Sequence, residues 1–220
     1  AESAELVAGN ISLVQQRLDQ RRRPGTVFGP LFLLEMPPLT YFMAGTISVP
    51  EYFRLVIERT PCGLVLDIGH LWTIYRYTTA RRQSSLAQFV ERFLDAFPME
   101  RVIEIHIAGL SAHEAGPRAT VQDGSPEWID AHAAPIPAES WTILDQVLQH
   151  PRLRHLRGVA LEVDTKSFGL IAEEFTQAGE RLGPMVKRLL EHETPAPPAT
   201  VEPLRGERQV HRTDVNQRKL

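Results

Sequence analysis

Val102-Ile103-Glu104-Ile105-His106-Ile107 is the stretch on which the fold turns. Its β-branched residues alternate with Glu104 and His106, as in a strand whose side chains point to opposite faces in turn. Period-2 geometry puts Glu104 and His106 on one face and Ile103, Ile105 and Ile107 on the other. Similar apolar runs lie on both sides. Leu31-Phe32-Leu33-Leu34-Glu35 and Gly63-Leu64-Val65-Leu66-Asp67 precede it, and Val159-Ala160-Leu161-Glu162-Val163 follows. Trp128-Ile129-Asp130 is a weaker strand within the loop-rich residues 110–137.

Helical patterns fill the intervals. Leu6, Val7, Ile11, Val14 and Leu18 form one stripe ahead of the first strand. Ser48-Val49-Pro50-Glu51 and Ser85-Leu86-Ala87-Gln88 are capping-box patterns, the first with Pro near the helix start. Phe53, Val56 and Ile57 continue the one, and Phe89, Val90, Phe93, Leu94 and Phe97 the other. Trp141, Leu144 and Leu148 mark a further helix, and a long helical segment runs from about Ile171 to Glu191.

Strands alternating with helices imply an α/β fold with a parallel sheet under helices. The predicted strands end at Glu35, Asp67, His106, Asp130 and Glu162, at spacings of 32, 39, 24 and 32 residues. That repeat suits a (β/α)8 TIM barrel of which the last five or so β-α units are present, with roughly 100 residues of barrel preceding Ala1. A doubly wound sheet is the competing architecture, but no GxGxxG loop follows any strand. The expected organisation is an incomplete (β/α) barrel metal-binding domain over residues 1–193 and a disordered Pro-rich tail over 194–220. The tail has Pro195, Pro197, Pro198 and Pro203, no aromatic residue and a charge of +2. Ala1-Glu2-Ser3-Ala4-Glu5 has no initiator Met and no signal-peptide pattern, and reads as the start of a helix cut from something longer.

Composition removes several function classes. With 24 Lys+Arg against 27 Asp+Glu, the net charge of -3 argues against a nucleic-acid binder with a strongly basic surface. No apolar run approaches the roughly 18 residues of a membrane span. The single cysteine, Cys62, excludes an internal disulfide, CxxC zinc sites, CxxCH haem attachment and multi-cysteine Fe–S ligation. Its solitude suits a reducing compartment, and a cytoplasmic location is expected.

The chemistry gathers at the strand ends, which in a (β/α) barrel surround the active-site mouth. Asp67-Ile68-Gly69-His70 pairs a carboxylate with an imidazole across a turn that Gly69 makes flexible. Asp130-Ala131-His132 places the same pair two residues apart. Histidines and carboxylates without thiolates suit Fe, Mn or Zn. The candidate metal set is Glu35, Asp67, His70, His106, Asp130, His132 and Glu162. His113, in the following loop, lies close enough in sequence to approach the site. His150, His155, His192 and His211 have polar contexts and are expected to be solvated. Cys62 reads as a core residue, and no GxSxG elbow supports a serine nucleophile. Trp72, Tyr75 and Tyr77 either wall a substrate pocket or pack as ordinary loop residues.

The strings Leu34-Glu35-Met36-Pro37, Cys62-Gly63-Leu64-Val65-Leu66-Asp67-Ile68-Gly69-His70, Glu104-Ile105-His106-Ile107-Ala108-Gly109, Ile129-Asp130-Ala131-His132 and Leu161-Glu162-Val163-Asp164 carry a resemblance. In order and spacing, over roughly residues 1–175, the chain resembles the multinuclear non-haem iron-dependent oxidases, the family of the methanobactin biosynthesis oxidase. The resemblance implies a TIM barrel that holds two or three iron ions and uses O2. It implies modification of cysteine or other residues in ribosomally made precursor peptides, with a partner protein that presents the peptide. The same seven residues match the family's ligand positions, and two more histidine ligands are expected on strands before Ala1. No separate catalytic acid or base is assigned.

Two rival readings stay open. One is a divalent-metal isomerase or hydrolase of the xylose-isomerase-like barrel type, using Mn, Mg or Zn. The other is a non-catalytic barrel fragment acting as a binding partner. A homodimer that closes the open sheet is a further expected partner, whereas nucleic acid and membrane are not.

Overall fold

The computed structural model describes residues 2–21, 30–37, 46–112, 128–130 and 132–192; the side chains of 112, 128–130 and 188–192 are not described. The predicted tail 194–220 and His113 lie outside these residues, as does His211. The elements run α1 (Glu2–Gln20), β1 (Leu33–Glu35), α2 (Val49–Ile57), β2 (Gly63–Asp67), α3 (Ile68–Tyr77), α4 (Ala80–Gln83) and α5 (Leu86–Ala96). After these come β3 (Val102–Ala108), β4 (Leu110–Ala112), β5 (Trp128–Asp130), α6 (Ala138–Gln149), β6 (Gly158–Glu162) and α7 (Phe168–His192).

Strands β1, β2, β3 and β6 form one parallel sheet in that spatial order. The order never reverses along the chain, whereas a doubly wound sheet reverses at its switch point. The expected fifth barrel strand is a correction. Trp128–Asp130 pairs antiparallel with Leu110–Ala112 in a separate two-stranded ribbon. Four β-α units are therefore present among the described residues, and the ribbon is an excursion between β3 and α6. With three residues, β5 is long enough to pair with its neighbour in sequence but contributes nothing to the parallel sheet.

Both capping patterns act as caps. Ser48 accepts a hydrogen bond from Glu51 N at the start of α2, and Ser85 and Gln88 make the reciprocal pair at α5. The main core lies between one sheet face, with Leu64, Leu66, Ile105 and Ile107 all fully buried, and the helices that carry Phe53, Leu71, Leu94 and Ile143. The stripe on α1 needs correcting. Its buried face is Ala4, Ala8, Ile11 and Gln15, while Leu6, Leu13 and Val14 are exposed. Small Ala4 and Ala8 pack beside Val56 and Cys62. The Gln15 amide bonds Pro30 O and accepts from Phe32 N, fastening α1 to the approach to β1.

The alternation along β3 is also broken once. The β2–β3 register slips between Leu64 and Val65, so Leu64 faces Val102 and Val65 faces Glu104. Ile103 falls in the slip, and its Cγ1 would lie 2.6 Å from a Cβ placed on Gly63. Ile103 therefore covers Gly63 instead of joining Ile105 and Ile107 in the helix-covered core. No described helix is long and apolar enough to cross a membrane.

Candidate metal centre

The carboxyl ends of the four parallel strands carry most of the predicted set. Asp67 stands opposite His106 in register, and Glu162 stands opposite Ala108, two residues along the same face of β3. Glu35 ends β1 beside Val65. Parallel pairing thus brings Glu35, Asp67, His106 and Glu162 to one end and one face of the sheet.

Asp67 is fully buried and caps α3, its Oδ1 accepting from His70 N at 2.7 Å. The expected flexible turn at Gly69 is instead the first turn of this helix, which holds His70 rigidly behind Asp67. His70 Nδ1–H donates to Met36 O at 2.7 Å, and the same nitrogen is 3.7 Å from Glu35 Oε1. The arrangement ties β1, β2 and α3 together at the site.

His106 is the hub. Its Nδ1 lies 3.4 Å from Glu162 Oε1 and 3.8 Å from Glu35 Oε1, while Nε2 lies 3.5 Å from Glu104 Oε1. The Nδ1 atom is buried and has no hydrogen-bond partner among the described residues. Glu162 reaches a second imidazole through its other oxygen, with Oε2 3.3 Å from His132 Nε2. His132 Nδ1–H donates to Asp164 Oδ2 at 3.0 Å.

Of the seven predicted residues, Glu35, Asp67, His70, His106, His132 and Glu162 lie in one contiguous cluster. Asp130 has a described backbone only, opposite Leu110 on β5, and its side chain is outside the described residues. Glu35, Asp67 and His106 each offer a ligand atom, all within 4.8 Å of one another. A buried imidazole nitrogen without a hydrogen bond, aimed at carboxylates, fits a divalent first-row cation, and so does an all-nitrogen-and-oxygen donor set.

Several other residues fall outside the cluster. Trp72 is buried in the core, and Tyr75 packs between Trp72 and Phe89, so the ordinary-packing alternative holds for both. His150 is not solvated as expected. Its side chain is 8% exposed, Nε2 lies 3.5 Å from Asp95, and Nδ1 accepts from Arg152 N. Cys62 is fully buried against Thr60, and burial pushes its thiol pKa up. Two neighbours were missed as members of the site: Glu104, although its period-2 relation to His106 was visible, and Asp164, two residues beyond Glu162.

The family model that matches this sequence describes the RiPP precursor modification enzyme MbnB/TglH/ChrH, and it covers residues 1–183. Curated relatives carry the name UPF0276 protein. That of Caulobacter sp. (strain K31) is 29% identical over 124 residues, 56% of this chain and 39% of the relative. The Rhizobium meliloti protein is 31% identical over 147 residues, 66% of this chain and 40% of the relative. The Paraburkholderia phytofirmans protein is 37% identical over 109 residues, 49% of this chain and 29% of the relative. The match therefore spans less than half the length of these curated relatives.

Proposed function

The chain belongs to the family of RiPP precursor modification enzymes MbnB/TglH/ChrH, and from that premise we propose that it carries the metal centre of an iron- and O2-dependent oxidase acting on a ribosomally made precursor peptide. Cysteine is the proposed target residue. The observation that carries the reading is Glu162, whose two oxygens lie 3.4 Å from His106 and 3.3 Å from His132. With an imidazole at each oxygen, this carboxylate gathers His106 and His132 into one donor set that would suit first-row metal ions.

Glu35, Asp67, His70, His106, Asp130, His132 and Glu162 would hold the metal. Bound iron would supply Lewis-acid and redox chemistry, taking up a substrate thiolate and activating O2. The side chains fix where that chemistry occurs. Fully buried Asp67 forms the dry floor, while the half-exposed Glu35 lies at the rim where a peptide can approach. His70, held by Met36 O, resists rotation when the peptide binds.

The unreversed strand order supports a (β/α)8 barrel as the parent architecture, with residues 1–193 as its metal-binding part and 194–220 as an extension. A cytoplasmic location and a peptide-presenting partner protein complete the reading. It is tested on iron-reconstituted protein by metal analysis, Mössbauer spectroscopy and O2 uptake with a cysteine-containing precursor peptide. In protein of the relatives' full length two or more coupled irons are expected, with O2 consumed only when the peptide is present. His106→Ala and His132→Ala should each lower iron content. Retention of only Mn or Zn with no O2 uptake would overturn the oxidase and favour the isomerase or hydrolase.

A further inference from the structure

Two carboxylates outside the proposed ligand set stand on the far side of its imidazoles. His106 turns Nδ1 toward Glu162 and Glu35, and its opposite nitrogen, Nε2, lies 3.5 Å from Glu104 Oε1. His132 turns Nε2 toward Glu162, and its opposite nitrogen, Nδ1, is hydrogen-bonded to Asp164 Oδ2 at 3.0 Å. The two rings thus present different nitrogens to the same carboxylate, and each has an acidic acceptor behind it.

A neutral imidazole has one N–H and one lone pair, and an acceptor beside one nitrogen decides which is which. An outer carboxylate therefore fixes the tautomer and the orientation of a metal-facing histidine, and raises its basicity. We propose that Glu104 and Asp164 are positioning residues: Glu104 holds His106 as the Nε2–H tautomer with its Nδ1 lone pair facing Glu35 and Glu162, and Asp164 holds His132 as the Nδ1–H tautomer with Nε2 facing Glu162. The proposal rests on the metal-centre reading: the His106 lone pair faces Glu162 and Glu35 only with a cation between them, whereas the His132 tautomer is set by its hydrogen bond to Asp164 with or without metal.

The fold explains why two different nitrogens are needed. His106 sits within a strand, one period-2 step below the level of Glu162, so the ring edge nearest its own backbone meets the carboxylates. His132 approaches from the segment ahead of α6 and meets Glu162 with the ring's far end. Glu104 is one period-2 step below His106 on β3, and Asp164 lies two residues beyond Glu162, the last residue of β6, so each outer acid lies on or just past a strand that already carries a site residue.

The test is long-range 15N–1H correlation of the histidine rings, without metal and with Zn2+, together with Zn2+ affinity by competition titration. In the Zn2+ form, His106 should bind through Nδ1 with a proton on Nε2, and His132 through Nε2 with a proton on Nδ1. Glu104→Gln and Asp164→Asn should each weaken Zn2+ binding about 10- to 100-fold and leave the metal-free melting midpoint where the wild type has it. The inverse nitrogen on either ring would overturn the proposal, as would variants that keep both wild-type affinity and wild-type tautomers. A fall in the metal-free midpoint with unchanged tautomers would make the two acids structural and would also overturn it. If the wild type takes up no Zn2+, the metal-centre reading fails separately. The metal-free protein then decides through His132: Nδ1–H on that ring, lost in Asp164→Asn, supports the positioning role, and Nε2–H overturns it.

Discussion

Lys166 and Glu174 form an ion pair almost wholly removed from water, with Nζ 2.7 Å from Oε2 and side chains 0% and 3% exposed. The other carboxylate oxygen accepts from Ile136 N at 2.9 Å. One pair of side chains thus joins the segment after β6, helix α7 and the segment that runs from His132 into α6. Replacing Lys166 with Met removes the cation and leaves a buried carboxylate whose remaining hydrogen-bond partner among the described residues is the Ile136 amide. Breaking such a pair from one side costs about 3–5 kcal/mol, a large part of a domain's usual stability. In the double variant Lys166→Met/Glu174→Gln the buried charge disappears, while a side-chain oxygen remains for Ile136 N–H. What is left is an imperfectly satisfied amide, at about 1–2 kcal/mol. The double variant should therefore be more stable than the single one by roughly 2 kcal/mol. Urea unfolding with unchanged m-value measures both, and amide exchange at Ile136 reports the local opening. A single variant that loses under about 1 kcal/mol, or a double variant no more stable than the single, would refute the reasoning.

Three further outcomes follow from the packing. Arg152 donates to the carbonyls of Leu94, Asp95 and Phe97 at the end of α5 and pairs with Glu100; because a lysine cannot span these acceptors, Arg152→Lys should cost about 1–2 kcal/mol in urea unfolding. Gly63→Ala places a methyl 2.6 Å from Ile103 Cγ1 and 2.7 Å from Leu33 Cδ2, and should cost about 1–3 kcal/mol, read as a lower melting midpoint. Burial raises the Cys62 thiol above its ordinary pKa of 9.0, with the Thr60 hydrogen bond and Arg101 opposing. The native state then holds the thiol proton more tightly than the unfolded state. That contribution to stability is complete below pH 9.0 and is lost as pH rises through the native value, so Cys62→Ala should flatten the fall of unfolding free energy above pH 9.0.

The parallel sheet was legible because buried parallel strands read as apolar runs and capping residues mark where the next helix starts. Val102–Ala108 was nearly complete in the sequence reading, and both Ser48 and Ser85 cap as expected. The ribbon misled because three apolar or acidic residues, Trp128, Ile129 and Asp130, carry no information about strand direction. Only their pairing with Leu110–Ala112 does, and that depends on the path of the intervening loop. Helix α3 was missed for a related reason. Its first turn follows Asp67 without a break, so the residue that ends β2 also caps the helix, and Gly69 reads as a turn residue. On α1 the large apolar side chains drew the stripe, yet the helix packs through Ala4 and Ala8, where closeness matters more than hydrophobic bulk.

The site was legible as residue types and strand positions, because parallel register alone carries Asp67 opposite His106 and Glu162 opposite Ala108. What register does not carry is the orientation of a ring. Nothing in Glu104-Ile105-His106 says which imidazole nitrogen meets the cluster. His132 and Asp164, 32 residues apart, become partners only after β6 has taken its place beside β3. Outer carboxylates are hidden from a sequence reading for this reason. They have the residue type of a ligand and the spacing of a neighbour, and only the direction of a hydrogen bond separates the two roles. In this fold the separation is geometric: Glu35 and Glu162 lie on the Nδ1 side of His106, and Glu104 lies on the Nε2 side. A carboxylate on the first side competes for the metal, and one on the second side orients the ring that binds it.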